Sequence, residues 1–586
     1  MLSEQRVDAI TFAVVHGAVS SIVREMTAII QRTARSPILA FGNDFSNAAY
    51  TMANGIPEMV VQGQDQPVHL GGMIVAVKNV ASTWEGKVEK GDVFVRNEPA
   101  SGGSHLLDID IIAPVFSDAR LVAWACSRAH MGDIGGPAPG GYNTRAEDLF
   151  SEGLIIPAMK LVEAGRMRED VWRLILANVR IPDLVAGDIG AQLSAVRVAT
   201  RRLEDLFGRY DADTVNQAMA QILDRADELA RADIARIADG KFRGESWIED
   251  DGHGAGDLCI RTVVTKRNDE LHVAIESPKT CRSYRNSYAG ATLGAVYFAV
   301  ITALQPGLPI NEGLYRAVEV DLGEPGTMLN ASLPAACAMS TGDIWAAVWE
   351  SVCDALSKLI PERACAGWSQ LAVNTLAGID PRDGEPYSTG PLHITHQGGS
   401  GAVNGSDGGG LWGLICTGGA ASVGDVELLE FRLPFHIHRH ELLQDSGVPG
   451  TWRGSPGAIL DMEIVDHESL VSHIGTGAVY PPPSRLGGGS PDDARKRVHH
   501  KRLIRADGTQ QELQLHDVVT VGPGDRIVAH IPGGGAVGAA AERDPKLVER
   551  DVQAGLVSPE SARAEYACEP QRMVGGTRET PRRMPV

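Results

Sequence analysis

The sequence predicts a mixed α/β protein of the α+β type, built from several domains. Three observations predict it. The chain has 586 residues, whereas a single hydrophobic core rarely grows beyond about 250–300. Helical periodicities alternate with short strand-like runs in its first two thirds, so neither an all-α nor an all-β pattern covers it. The last third concentrates glycine between short apolar runs, the pattern of strands joined by tight turns. Hydrophobic residues at 43% and charged residues at 22% are ordinary globular values and exclude a fibrous or disordered chain.

Val7, Ile10, Val14, Val15, Ala18, Ile22 and Met26 recur at spacings of three and four and predict a core-packing amphipathic helix over 5–34. From Asn43 to His130 short strands and glycine turns are expected. A run of helices follows over 145–240, namely Ala164 to Ile181, Leu193 to Tyr210 and 213–238, with Gly240 as a stop. Cys259 to Lys266 and Leu271 to Ser277 alternate as two strands around Arg267-Asn268-Asp269. Ser287 to Leu304, rich in Ala and Gly, reads as a buried, closely packed helix. Helices over 341–359 and 364–376 complete the middle of the chain. Beyond Pro381 the pattern turns to glycine and strands, with one more helical piece over 543–566. The Arg/Pro/Gly/Thr residues from 568 onward are expected to be disordered. The expected domains are therefore 1–245, 246–380 and 381–567, with 568–586 as a tail.

The 54 Lys+Arg against 74 Asp+Glu leave a net charge of −20, which argues against nucleic-acid binding, since neutralising phosphates takes clustered cations. No run of about 18 consecutive apolar residues predicts a membrane span. Met1-Leu2-Ser3-Glu4-Gln5-Arg6 lacks the basic-then-apolar order of a signal peptide. The eight cysteines contain no C-x-x-C pair, so a disulfide framework or thiolate zinc site is not expected and a reducing cytoplasm is. The sequence carries no G-x-x-x-x-G-K-[ST], no G-x-S-x-G and no H-E-x-x-H. Any nucleotide needed would then be bound by a partner.

The most specific local signal is Gly102-Gly103-Ser104-His105-Leu106-Leu107-Asp108-Ile109-Asp110, followed by Arg128-Ala129-His130-Met131-Gly132-Asp133. Between them Ile111 to Phe116 and Leu121 to Cys126, separated by Ser117-Asp118-Ala119-Arg120, read as a hairpin. With the turn centred on Ala119, Asp108 faces His130 and His105 faces Asp133, each pair with Cβ atoms about 4.5–5.5 Å apart. Two imidazoles and two carboxylates at one end of a hairpin suit zinc, manganese or iron(II) better than calcium or magnesium. Such an ion can polarise a carbonyl or activate a water. Hydrogen-bonded His–Asp pairs that merely steady a turn are the alternative, and Asp110, on the same strand face as Asp108, is a rival ligand. Less specific are Asp44 in Asn43-Asp44-Phe45-Ser46 and His69 in Pro67-Val68-His69-Leu70-Gly71-Gly72. So is the glycine run Gly398 to Gly410 with His396, Asn404 and Asp407, whose amides could approach an anion.

These motifs resemble the hydantoinase B/oxoprolinase family, the B-type subunits of ATP-dependent hydantoinases and caprolactamases, with acetone and acetophenone carboxylase subunits among its relatives. The resemblance extends through Glu152-Gly153-Leu154-Ile155-Ile156-Pro157, Ala177-Asn178-Val179-Arg180, Ile310-Asn311-Glu312-Gly313, Pro334-Ala335-Ala336-Cys337 and Asp445 to Gly454, and covers about residues 5–567. It implies a divalent metal, zinc or manganese or else iron, held by His105, Asp108 and His130 with Asp44 as a fourth ligand. Asp133 would stand behind a ligating histidine, and Asp133 or His69 would carry protons. It implies an A-type partner that binds ATP and Mg, a hetero-oligomer such as α2β2, and hydrolysis of a phosphorylated hydantoin, 5-oxoproline-like ring or lactam. ATP-dependent carboxylation of a ketone is the second expectation, and a metal that only staples the hairpin the third. The chain departs from the family pattern at Glu98, in Asn97-Glu98-Pro99, and at Met131, where many relatives carry a second histidine.

Overall fold

Helix Ala9–Thr33 starts where the Asp8 carboxylate accepts the amides of Ile10 and Thr11, a side-chain N-cap. It buries Val15, Val19, Ile22, Val23, Met26 and Ile30, the stripe its spacing predicts. By length and composition this helix could cross a membrane, but its apolar stripe packs against helix Pro182–Arg209 and the neighbouring sheet, as a core helix does. The computed structural model describes residues 6–569 except 64, 252, 255, 390–397, 412, 420, 422–423 and 490–496. The expected tail from 570 on, and His396, lie outside the described residues.

The first sheet has seven antiparallel strands in the order β2-β1-β5-β4-β3-β6-β7. They are β1 (Phe45–Thr51), β2 (Glu58–Gln62), β3 (Val93–Arg96), β4 (Asp108–Ser117), β5 (Arg120–His130), β6 (Met159–Glu163) and β7 (Arg166–Met167). Helices Ala9–Thr33, Pro182–Arg209 and Ala212–Ile234 pack against it, and helix Leu70–Thr83 also contacts it. Helix Leu70–Thr83 in turn meets Ala289–Ala303, which meets Asp343–Leu359. A Cβ on Gly71 would lie 2.6 Å from the Gly294 nitrogen, so glycine is what lets the first two of these helices approach so closely. Asp343–Leu359 packs on a second sheet of β8 (Gly240–Ile248), β9 (Leu258–Arg267), β10 (Glu270–Glu276) and β11 (Val318–Asp321). One apolar core runs through all these layers, across the expected boundary at 245.

The C-terminal region contains two more sheets. One has the order β13 (Pro386–Ser388), β12 (Ala372–Ile379), β16 (Ser469–Gly475), β19 (Val518–Val521), and the other β14 (Phe435–Leu443), β15 (Gly457–Ile464), β20 (Arg526–Ile531), β17 (His500–Ile504), β18 (Gln510–Glu512). Leu376, Val471 and Val521 of the former share a second core with Phe435, Leu460 and Ile527 of the latter. Strand β12 already belongs to this region.

Several expected elements change. Ala164 to Ile181 is helical only over Glu169–Ala177, because β6 and β7 form a hairpin whose turn holds Ala164 and Gly165 at φ of 45° and 83°. The helix expected from Leu193 already begins at Pro182, where proline suits the first helical position. Gly240 opens a strand, and 364–376 holds β12 instead of a helix. Helix Leu70–Thr83 stands where only strands and turns were expected. It buries Leu70, Gly71, Gly72, Met73, Ile74, Ala76, Val77 and Val80, so no polar face advertises a helical period. The piece over 543–566 is two helices, Pro545–Gln553 and Pro559–Tyr566.

The glycine runs of the last third meet one another. A Cβ on Gly454 would lie 1.9 Å from the Gly534 carbonyl oxygen, and one on Gly534 would lie 2.0 Å from that of Ser400. Backbone thus packs directly on backbone, which accounts for these glycines without an anion. Asn404 donates to the Pro361 carbonyl at 3.1 Å, and Asp407 accepts from the Arg543 guanidinium at 2.7 and 2.8 Å. Gly534→Ala is expected to destabilise the fold by about 3 kcal/mol, the upper end for overpacking. Urea unfolding measures it, and an unchanged midpoint would reject this account.

Candidate metal centre

The hairpin forms with Asp108 opposite His130. Its turn is the two-residue Asp118–Ala119, flanked by Ser117 paired with Arg120, and Asp118 adopts a φ of 52°. That turn alone would set Asp108 against Ala129. An irregularity between Val115 and Phe116 leaves one extra residue, Val122, in β5 and restores the Asp108–His130 pair. The ladder stops at that pair, so His105 does not face Asp133 across it. His105 instead reaches the site through a turn, with the Asp108 amide donating to its carbonyl at 3.2 Å. Strand β1 lies on the far side of β5, and the His130 amide donates to the Asp44 carbonyl at 3.0 Å. A short helical turn, Pro67–His69, supplies His69.

The side chains converge. Asp108 Oδ1 lies 2.9 Å from His105 Nε2 and 3.2 Å from His130 Nδ1, and those two nitrogens are 3.1 Å apart. Asp108 Oδ2 accepts the Ser104 hydroxyl and lies 3.4 Å from His69 Nε2. Asp44 Oδ2 stands further out, 4.0 Å from His130 Nδ1. Asp44, His69, His105, Asp108 and His130 line one cavity of about 40 Å³, with the Tyr142 ring 5.9 Å from that of His105 and 6.2 Å from that of His130.

Hydrogen bonds behind the cluster decide where the imidazole protons sit. His105 Nδ1 is 2.8 Å from the Ala338 carbonyl, which only accepts; its proton is on Nδ1, and Nε2 presents a lone pair. The Ser46 hydroxyl donates to the Gln66 carbonyl at 3.0 Å and so accepts from His69 Nδ1 at 2.9 Å. His69 Nε2 therefore also turns a lone pair toward Asp108. His130 Nε2 and His69 Nε2 are buried without a hydrogen-bond partner among the described residues. With the rings neutral, electron pairs face one another at these separations, which makes the cluster a place for a cation. Burial works against a charge on His105, but the Asp108 carboxylate outweighs it and raises the His105 pKa. Burial likewise pushes the Asp108 pKa up, yet a charged, hydrogen-bonded His105 holds it well below the usual carboxylate range. One ligand atom each from His105, Asp108 and His130 lies within 4.8 Å of the others. Two nitrogens and an oxygen fit a borderline divalent ion.

Other expected residues go elsewhere. Asp110 is held by Arg96 Nη1 at 3.0 Å and by Arg128 Nε and Nη2 at 2.6 and 2.8 Å, so it is no rival ligand. Asp133 accepts from the Arg180 amide and guanidinium, both at 2.6 Å, and is absent from the lining of the cavity. Asp133 was expected behind His105 or His130; behind His105 stand the Ala338 carbonyl and the Thr341 hydroxyl instead. Tyr142, Thr341 and Cys416 also line the cavity, and no spacing signal in the sequence marks them.

Fold and site together define a protein with a buried histidine–carboxylate centre at the end of an antiparallel hairpin. The hydantoinase B/oxoprolinase family model matches residues 8–540. The chain belongs to that family. It is 39% identical to caprolactamase subunit beta of Pseudomonas jessenii, over 96% of each chain. The crystal structure of the ATP-dependent caprolactamase from Pseudomonas jessenii superimposes with a TM-score of 0.90 at 38% identity, over 96% of each chain. A nucleotide-free acetone carboxylase structure matches with a TM-score of 0.85 at 17% identity, over 95% of this chain and 79% of the other; that likeness is one of fold.

Proposed function

We propose that this chain is the B-type subunit of an ATP-dependent cyclic amide hydrolase. Its substrate is a lactam, hydantoin or 5-oxoproline-like ring that an A-type partner, binding ATP and Mg, has phosphorylated. The observation that carries the reading is the convergence of His105, Asp108 and His130 in one buried cavity, in a chain 39% identical to a caprolactamase subunit.

An unactivated amide carbonyl is a poor electrophile and its nitrogen a poor leaving group. Phosphorylating the oxygen relieves both problems; opening the ring then takes a water at the carbon and a proton on the leaving nitrogen, and a second water releases phosphate from the acyl phosphate that remains. His105, Asp108 and His130 hold a zinc, manganese or iron(II) ion, with Asp44 as the fourth side chain. When bound, the ion supplies Lewis acidity, polarising an oxygen or lowering the pKa of a water. Asp108 turns Oδ1 to the cluster while the Ser104 hydroxyl holds Oδ2. His69, with its proton on Nδ1, takes and returns a proton at Nε2. Tyr142 covers the two ligating imidazoles and keeps bulk water away.

The cavity measures about 40 Å³, against about 300–1,000 Å³ for typical ligand pockets. A ring therefore enters only when the lining, which includes Leu371 and Leu414, gives way. Leu414→Trp is expected to block ring opening and leave metal content unchanged; full turnover in that variant would reject the entry route.

Reconstitution of the chain with an A-type subunit tests the whole reading. ATP consumption should depend on a cyclic amide, yield the ring-opened product and need no bicarbonate. Bicarbonate-dependent ATP consumption with a ketone would replace this reading with a carboxylase, and no turnover with any of these substrates would end it.

A further inference from the structure

Two motifs of the sequence, Glu152 to Pro157 and Pro334 to Cys337, have no part in the chemistry above. In the structure they meet. Glu152 is 1% exposed. Its carboxylate accepts the Cys337 amide at 2.9 and 3.0 Å and the Ala338 amide at 2.7 Å. No Lys, Arg or His lies within ion-pair distance of it among the described residues. Burial pushes its pKa up to about 8 against the pull of the two amides, so this acid is costly to keep where it is.

What it secures is the backbone of one residue. The carbonyl of the same Ala338 accepts from His105 Nδ1 at 2.8 Å. The next amide, that of Met339, donates to the Tyr284 carbonyl at 3.2 Å, which pins the far side of that peptide. The Ser340 hydroxyl donates to the Ser104 carbonyl at 2.8 Å, tying the same loop to the turn that carries His105. Glu152 and His105 are thus joined through a single residue, carboxylate to amide and carbonyl to imidazole. A carbonyl at Nδ1 sets the ring orientation and leaves the Nε2 lone pair for a cation.

We propose that Glu152 is a positioning residue for the metal centre, holding the Ala338 backbone so that its carbonyl orients His105. The inference rests on the reading of His105, Asp108 and His130 as a cation site. Its test compares the wild-type chain with Glu152→Ala, Glu152→Gln and Glu350→Ala. Zinc affinity is measured by chelator competition, and the visible spectrum is recorded for the cobalt(II) form. Glu152→Ala is expected to raise the zinc Kd by about 10–100-fold, as for other partners of a ligating histidine, and to alter the cobalt bands. Glu152→Gln keeps an oxygen where Oε1 accepts both amides, so it should fall between the two. Glu350 is a carboxylate buried elsewhere, against the Ser246 hydroxyl at 3.1 Å; its removal controls for lost stability and should leave zinc affinity unchanged. Unchanged zinc affinity and an unchanged cobalt spectrum in both Glu152 variants would overturn the proposal. Should Glu152→Ala fail to fold, Glu152→Gln decides by the same two readings. A wild-type chain that binds neither zinc nor cobalt would remove the cation site and the proposal together, whereas normal wild-type binding with unaltered variants removes only the role of Glu152.

Discussion

Asp108→Asn and His105→Ala are each expected to empty the centre of metal and to abolish ring opening in the reconstituted complex. The loss should exceed the about 10–100-fold typical of residues one step behind a ligand, because both residues supply an atom to the cluster itself. Asp108 is the more telling. Its Oδ1 lies within hydrogen-bond distance of both His105 and His130. An amide there turns either an oxygen or an NH₂ toward two nitrogens, and neither supplies the negative charge that offsets a divalent ion. Metal content by elemental analysis and product formation from a cyclic amide are the two readings. Full metal loading with unimpaired turnover in both variants would remove the centre from the mechanism.

Asp110→Ala is expected to produce the largest loss of stability, about 3–5 kcal/mol, the range for breaking a buried ion pair from one side. Arg96, Asp110 and Arg128 sit side by side on β3, β4 and β5, and the side chains are fully buried. Removing the carboxylate leaves two guanidinium groups without water and without a counter-charge. The damage should reach the neighbouring site, since Arg128 Nη2 also holds the Gly102 carbonyl at 2.8 Å, just ahead of Ser104 and His105. Replacing all three by apolar residues of similar volume should recover much of the lost stability. Denaturant titration separates these outcomes: a single variant as stable as wild type, or a triple variant no better than the single, would contradict the argument.

The hairpin was legible because apolar alternation and a short polar turn specify antiparallel pairing locally. Its register at the site, Asp108 opposite His130, was legible too, but not how it arises: the turn forms at Asp118–Ala119, and the extra residue Val122 in β5 restores the pair. Asp110 and Asp108 look alike in sequence, two residues apart on one strand. Which of them faces the imidazoles and which faces two arginines depends on β3, since that strand brings Arg96 alongside. Asp133 resembles a ligand by spacing until Arg180 claims it. His69 is ambiguous alone and acquires meaning from Ser46 and Asp108.

By itself the sequence determined the α+β class, the amphipathic N-terminal helix, the hairpin with its two chemically apt ends and the family. Each of these depends on residues within one strand, turn or helix, or on ordered motifs. The tertiary structure alone decided that Asp110 is claimed by arginines, how His105 reaches Asp108 and His130, and what lies behind its ring. Those outcomes depend on backbone groups and charges far away in the chain, such as Glu152 and Ala338, where contact is set by the packing of sheets and loops, and local spacing carries no trace of it.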